Sequence, residues 1–557
     1  MNMSGNLFSL IALLSPLFFV LTAIVSWFQP GFKPQLVKKV STIATFISIS
    51  TAVLCGIIVL QYGLFESEQL AIANLGFSIR LDSLSFIMLI MIALLGFIII
   101  KFSGNYLDGD QRQGAFIGRL AATIASVQLM VLSGNLGILM ISWVLTSISL
   151  HRLLVFYRDR PGAQIAARKK FILARMSDLS LLTAIIMIYN YFGTGNFEAI
   201  FNAIKETSIQ NLPFSAIEGP AIFLALAALL KSAQFPTHGW LIEVMETPTP
   251  VSALLHAGLL NAGPFLIIRM AFIMDASTIA PIILIIIGGI TALFGSVVYL
   301  TQTSVKTALG YSSIAHMGFS LMTSGLGVYS AALLHLVAHS FYKAHAFLSS
   351  GSVIDVIRGS KVAKPSQSTS PMKIALGMTL SLLLYTGFAI LWGINPVKQL
   401  PLLVIGVVIM LGLARIFTSA INLNGGANII IQGSLMALMV TVAFFSLESA
   451  LHYILSSQLP GTTIMSTGKQ ISAILVLITF CLAIFAQIIG PSLSQTPFYR
   501  TLAIHIRNGL YINTIFDRLI GALRIHSAES KKVIKAGLLE EKYSKSTEQN
   551  ELEKQLV

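Results

Sequence analysis

Apolar residues fall in long blocks along this chain, separated by short polar stretches. A helix needs about 20 apolar residues to cross a bilayer. Blocks of that kind lie near 7–27, 42–62, 84–103, 116–134, 136–157, 172–192, 221–236, 251–273, 280–301, 308–327, 331–355, 374–394, 400–422, 427–447 and 470–490. The pattern predicts an all-α polytopic membrane protein with about fifteen transmembrane helices. No Lys or Arg precedes the first block, which therefore lacks the basic region of a cleavable signal peptide and reads as a retained helix. After residue 490 the pattern changes. Leu510, Ile512, Ile515, Leu519, Leu523, Ile525, Val533, Ile534 and Leu538 recur at helical spacing among basic residues. They predict an amphipathic tail of one or two helices over about 500–545, lying on headgroups or docking a soluble partner.

Composition agrees with this reading. Of 557 residues 55% are hydrophobic and only 10% charged, against about 25% charged in soluble domains. The net charge of +14 is not a nucleic-acid footprint, because it is distributed by loop. Lys33, Lys38 and Lys39 share one loop. Arg152, Arg158, Arg160, Arg168, Lys169, Lys170 and Arg175 fall in the segment 152–175, and Arg358, Lys361, Lys364 and Lys373 in 358–373. Basic loops face the cytoplasm. Fifteen helices then put the N-terminus outside and the C-terminus in the cytoplasm. Cys55 and Cys481 each lie within an apolar run and form no paired motif, so disulfides, clusters and zinc are not expected in this chain.

The informative polar residues are those inside apolar blocks. Lys231 lies roughly ten residues into its block, about 15 Å by helical rise, and Pro236 follows it. A charge at that depth costs about 2.5–3.5 kcal/mol on insertion scales. A helix break is tolerated there only beside protein or a water-filled cavity. His256 and Lys306 lie in later blocks. His335, His339 and Lys343 are spaced i, i+4, i+8, which places them on one stripe, with His345 on the same helix. Water-linked groups of these types can pass protons. The His335/His339 spacing also suits a zinc ligand pair, but it lacks a cysteine and the adjacent glutamate of an HExxH helix. Each histidine alone is equally an interhelical hydrogen-bonding residue. Arg175 and Asp178, at i, i+3, can pair and lower the cost of burial. Glu246, in the turn before Pro248, is a candidate carboxylate near the lysine, as is Asp178, though a purely structural turn fits Glu246 equally well. No catalytic residue or metal site is expected.

Several stretches then resemble a known family. Lys231-Ser232-Ala233-Gln234-Phe235-Pro236-Thr237-His238-Gly239-Trp240, Met245-Glu246-Thr247-Pro248-Thr249-Pro250, Val305-Lys306-Thr307-Ala308-Leu309-Gly310-Tyr311 and His339-Ser340-Phe341-Tyr342-Lys343 resemble the antiporter-like subunits of respiratory complex I and Mrp antiporters. The resemblance covers about 80–355. It implies two inverted five-helix repeats with broken helices at 117–273 and 280–422. These are flanked by N-terminal helices over 1–116, C-terminal helices over 427–490 and the tail over 491–557. It also implies a proton or cation path through Lys231, His256, Lys306, His335, His339 and Lys343, with Arg175, Asp178 and Glu246 as supporting charges and Pro236 at the break. Two positions depart from the pattern. Val144 stands where complex I subunits carry a glutamate paired with the lysine, and Ser304 stands where the family has an acid.

Ser149-Leu150-His151-Arg152-Leu153-Leu154-Val155-Phe156 and His256-Ala257-Gly258-Leu259-Leu260-Asn261-Ala262-Gly263-Pro264 look like the membrane subunits of bacterial DAB inorganic-carbon accumulation complexes. That resemblance implies a cytoplasmic, carbonic-anhydrase-like partner holding zinc, with this chain supplying energy from a cation gradient and holding no cofactor. A complex I-like pump and a Mrp-type antiporter are the alternatives.

Overall fold

In a computed structural model of the chain, residues 8–68, 70–72, 75–157, 160–206, 213–351, 371–394, 399–406, 408, 427–461, 465–493 and 496–519 are described. The Glu246 side chain, Lys398 and residues 520–557 of the tail lie outside the described residues, as does the basic loop 358–370. Helices α1 (Leu14–Phe28) and α2 (Gln35–Tyr62) lead into four short strands. These are β1 (Phe65–Glu66), β2 (Leu70–Ile72), β3 (Leu75–Phe77) and β4 (Arg80–Leu81), with β1 against β4 and β2 against β3, both antiparallel. Next come α3 (Ser83–Tyr106), α4 (Gln113–Val131), α5 (Leu136–Leu154), α6 (Pro161–Phe192), the short α7 (Phe197–Glu206), α8 (Glu218–Lys231) and α9 (Gly239–Glu243). A run of pieces follows: α10 (Thr249–Ala257), α11 (Ala262–Arg269) and α12 (Ala271–Ala276). The remaining helices are α13 (Ile279–Tyr299), α14 (Val305–Gly325), α15 (Tyr329–Leu348), α16 (Pro371–Leu391), α17 (Ala427–Leu455), α18 (Thr467–Leu493), α19 (Pro497–Arg507) and α20 (Ile512–Leu519).

Nine helices among the described residues are long and apolar enough to cross a membrane. The chain is a helical membrane protein, as the apolar blocks predict. Three features differ from the sequence expectation. The strands at 65–81 form where a plain loop was expected. The block at 251–273 is not one helix: it stops at Gly258 and restarts after a 3₁₀ turn over Leu259–Asn261. There the Asn261 side-chain amide donates to the Ala257 carbonyl (2.8 Å), pairing a group that the break sets free. The third concerns α6, which begins at Pro161 at its first turn rather than near 172. Lys169 and Lys170, expected in a basic loop, are therefore inside a helix and buried, 0% and 5% exposed.

Two devices fix the bundle. Helices α13 and α14 cross on glycines. A Cβ on Gly318 would lie 2.6 Å from the Ala292 amide nitrogen, and one on Gly288 would lie 2.7 Å from the Gly318 carbonyl oxygen. Small residues allow this close approach, and dispersion between backbones then holds the pair without a hydrophobic drive. The second device is ionic. Asp82 caps α3 through the Ser85 amide (2.8 Å) and takes Arg80 Nε (2.8 Å) and Arg269 Nη1 (2.5 Å). Arg80 also reaches Glu198 (2.9 Å), and Glu66 accepts from the Asn196 amide (2.6 Å). The network joins the strands to α3, α7 and α11.

Two predictions follow from this packing. Gly318→Val should lower stability in detergent by about 1–3 kcal/mol by overpacking the crossing, while Gly387→Ala, with open space around it, should not; chemical unfolding of the purified chain checks both. Glu66 lies outside the spans, and burial pushes its carboxyl up to about 7 against the pull of Arg80 and Asn196. A carboxyl raised in the folded state contributes stability that is complete below its ordinary value, near 4.5, and is lost as pH rises to about 7. The thermal midpoint of the parent should fall across that window, and Glu66→Gln should flatten the fall.

Candidate ion-translocation site

Helix α8 ends at Lys231, where Ser232 closes the last turn onto the Ala228 carbonyl. Ala233 then takes a left-handed φ of 53°, uncommon for a residue with a Cβ, and Pro236 has no N–H with which to continue a helix. The Lys231 ammonium is buried against α5. It donates to the Trp143 carbonyl (3.0 Å), Thr146 Oγ1 (3.2 Å) and Ser147 Oγ (2.6 Å), and stands 4.3 Å from the centre of the Trp143 ring. Where the resemblance places a glutamate, this chain supplies neutral oxygens and an aromatic face. Val144 sits among them as a half-buried side chain.

The Arg175 and Asp178 pair forms as their i, i+3 spacing predicts, and Asp178 acts on Lys231 electrostatically. Asp178 pairs with Arg175 at 2.6 Å and does not hydrogen-bond Lys231. The carboxylate nearest in sequence that does engage a lysine is Glu243 of α9, and it pairs with Lys169 rather than Lys231. Lys169 also pairs with Asp517 of α20. Asn513 Nδ2 donates to Glu243 (2.9 Å) on the same side. The tail helix thus presents polar groups to the bundle and leaves Ile515 and Leu519 exposed. Lys170 turns the other way, and its ammonium donates to the Ser147 carbonyl (2.9 Å).

A second cluster lies on α14 and α15. His335, His339 and Lys343 share one stripe, as their spacing requires. They meet a residue the sequence reading passed over, His316 of α14. His316 Nδ1 lies 3.2 Å from His335 Nε2, and its ring centre is 4.9 Å from that of His339. Lys343 donates to the Leu309 carbonyl of α14 (3.1 Å). His256 stacks on Phe347 at 4.3 Å. Among the described residues, neither ring nitrogen of His256 or His339 has a protein partner. Buried groups of that kind are commonly satisfied by ordered water. Lys306 stands apart at the first turn of α14, half-buried, and donates to Thr249 Oγ1 (3.2 Å). Ser304 caps that helix through the Thr307 amide.

Polar groups bridge the two clusters. Ser232, next to Lys231, donates to the Leu260 carbonyl (2.9 Å), and Asn261 donates to Ser340 of α15 (2.8 Å). A cavity of about 430 Å³ lies against His316 and His335, with Ser296, Tyr299 and Ser312 in its wall. Among the described residues no group of three or more His, Cys, Asp or Glu side chains is placed to hold a metal ion. The signal for His316 was available, since it is a lone histidine in the apolar block 308–327. The signal for Lys170 was masked by the adjacent Arg168 and Lys169.

A family described as the NADH:quinone oxidoreductase/Mrp antiporter transmembrane domain matches residues 133–364, and the N-terminal family of complex I chain 5 matches 69–117. Over 454 residues the chain is 35% identical to a protein of Halothiobacillus neapolitanus named probable inorganic carbon transporter subunit DabB2, covering 80% of each. The chain belongs to the DabB family. A DabB of Hydrogenovibrio crunogenus is 42% identical over 304 residues, 53% of this chain and 58% of that one. The chloroplastic NAD(P)H-quinone oxidoreductase subunit 5 of Piper cenocladum is 38% identical over 287 residues, 50% of this chain and 38% of that one. Two solved structures share the fold. The Mrp complex of a Dietzia species gives a TM-score of 0.62 at 20% identity over 93% of this chain and 60% of that one. An archaeal membrane-bound sulfane sulfur reductase gives 0.55 at 17% identity over 92% and 99%.

The contact between His316 and His335 makes a quantitative prediction for this DabB-family chain. In a double-mutant cycle of His316→Ala and His335→Ala, ion flux in membrane vesicles should show a coupling of about 0.5–3 kcal/mol, as expected for residues of one network. Strictly additive effects would instead assign each ring an independent packing role.

Proposed function

We propose that this chain is the ion-conducting membrane subunit of a two-component inorganic-carbon accumulation complex. Lys231, His256, His316, His335, His339 and Lys343 carry protons or a coupled cation through the bundle, and Lys306 stands at its edge. A cytoplasmic, carbonic-anhydrase-like partner holding zinc hydrates CO2, and the gradient running through this chain makes that hydration one-way. The chain itself performs no catalysis and holds no cofactor. It sits in the bacterial inner membrane with its N-terminus in the periplasm and its tail in the cytoplasm. The observation that carries the reading is the line of buried ionisable side chains that begins on the broken helix at Lys231. Such residues are costly in lipid and mark ion pathways. Identity to DabB proteins across most of the chain supports the inorganic-carbon substrate.

The test has two arms. Expressed with the proposed carbonic-anhydrase-like partner, the parent should restore growth in air of a host lacking carbonic anhydrase. Lys231→Ala should abolish that growth at equal membrane abundance, and undiminished growth would remove the lysine from the mechanism. Affinity purification of the chain should bring a large zinc-bearing soluble subunit with it. A set of flavin and iron–sulfur subunits would assign it to a complex I-like pump, and several small membrane subunits to a Mrp-type antiporter.

A further inference from the structure

Lys170 is buried, is absent from the path just described, and touches the residue that receives Lys231. Ser147 is shared between the two lysines: its hydroxyl accepts from Lys231 at 2.6 Å and its carbonyl accepts from Lys170 at 2.9 Å. The lysine site is correspondingly crowded with positive charge. From α6 it receives Lys170, Arg175 and Asp178, from α8 Lys231, and from the last turn of α5 the half-buried His151, within electrostatic reach of Lys170. One carboxylate therefore faces three cationic side chains, and it is already engaged at 2.6 Å by Arg175. Arg175 keeps its proton at any working pH. Two ammoniums sharing one serine repel each other, so the arrangement suits one proton passed between two lysines better than two protons stored.

We propose that Lys170 is the proton-exchange partner of Lys231, filling on α6 the role for which Val144 on α5 has no ionisable group. The inference rests on the proton-path reading of Lys231. The step balances with no further reagent. An N–H bond of the Lys231 ammonium breaks as an O–H bond forms on Ser147. The original hydroxyl proton of Ser147 moves to the neutral Lys170 amine, which shifts from the serine's carbonyl to its hydroxyl to receive it. Lys170 then stands about two and a half turns from the N-terminal end of α6 at Pro161, with His151 as the titratable group beside it.

The test measures proton flux, not carbon uptake. Vesicles carrying the complex as it assembles in the cell are given a pH gradient and followed with a pH-sensitive dye. Lys170→Arg is the decisive variant, because it keeps the charge and a hydrogen-bond donor but does not release its proton. It should insert at parental levels and unfold at nearly the parental temperature, yet lose flux by about a hundredfold, the scale of a lost proton-transfer group. Lys170→Met should lose as much. Flux of Lys170→Arg within about twofold of the parent would make Lys170 a structural cation and overturn the proposal. Flux that depends on Lys231 but not on Lys170 would overturn this inference and leave the proposed function standing. Parent vesicles without Lys231-dependent proton flux would overturn both.

Discussion

A charge inside a membrane needs partners, and the architecture around Lys231 is a response to that need. The end of α8, the hydroxyls of Thr146 and Ser147 and the face of Trp143 converge on one ammonium. The partners are neutral. Neutral oxygens stabilise an ammonium less than a carboxylate would, because a charge-assisted hydrogen bond with both members ionised is stronger. The site thus holds its lysine without locking it as one half of a tight ion pair. That is compatible with a group that must give up a proton and regain it, and it follows from having Val144 where the complex I resemblance places an acid.

The molecule combines rigid and polar elements. The glycine crossing of α13 and α14 sets backbones in contact, and α14 carries His316 to α15 at hydrogen-bond distance from His335. The histidine cluster therefore forms where α14, held against α13 by that crossing, also meets α15. The ionic network on Asp82 does comparable work on the N-terminal helices, joining β4, α3 and α11 through buried arginines. Breaking such a pair strands a buried charge at a cost of about 3–5 kcal/mol, so these contacts hold position as well as contributing stability.

The sequence made the helical membrane class legible through block length alone, and the stripe of His335, His339 and Lys343 through spacing alone. Both signals are local. Features that depend on what another segment supplies were not legible. Lys169 and Lys170 look like loop residues beside Arg168, because local text says nothing of Glu243, Asp517 or the Ser147 carbonyl waiting for them. His316 reads as an isolated histidine until α15 is laid beside it. The break at Gly258 is hidden in an apolar run whose composition changes little from end to end. Asp178, i, i+3 from Arg175, was correctly read as its pair, but its distance from Lys231 chemistry is set by tertiary packing and has no sequence signature.

The clamp on Lys169 also orders events during synthesis. Its two carboxylates come from α9 and from α20, and 344 residues separate Lys169 from Asn513 in the same contact. At about 5–20 residues per second, a ribosome needs on the order of 20–70 s to make that stretch. For most of that interval the lysine has Glu243 alone, and the second carboxylate and the Asn513 contact are still to come. The last described helix is thus the piece that closes the first half, and a chain released early would insert fully yet never finish that site.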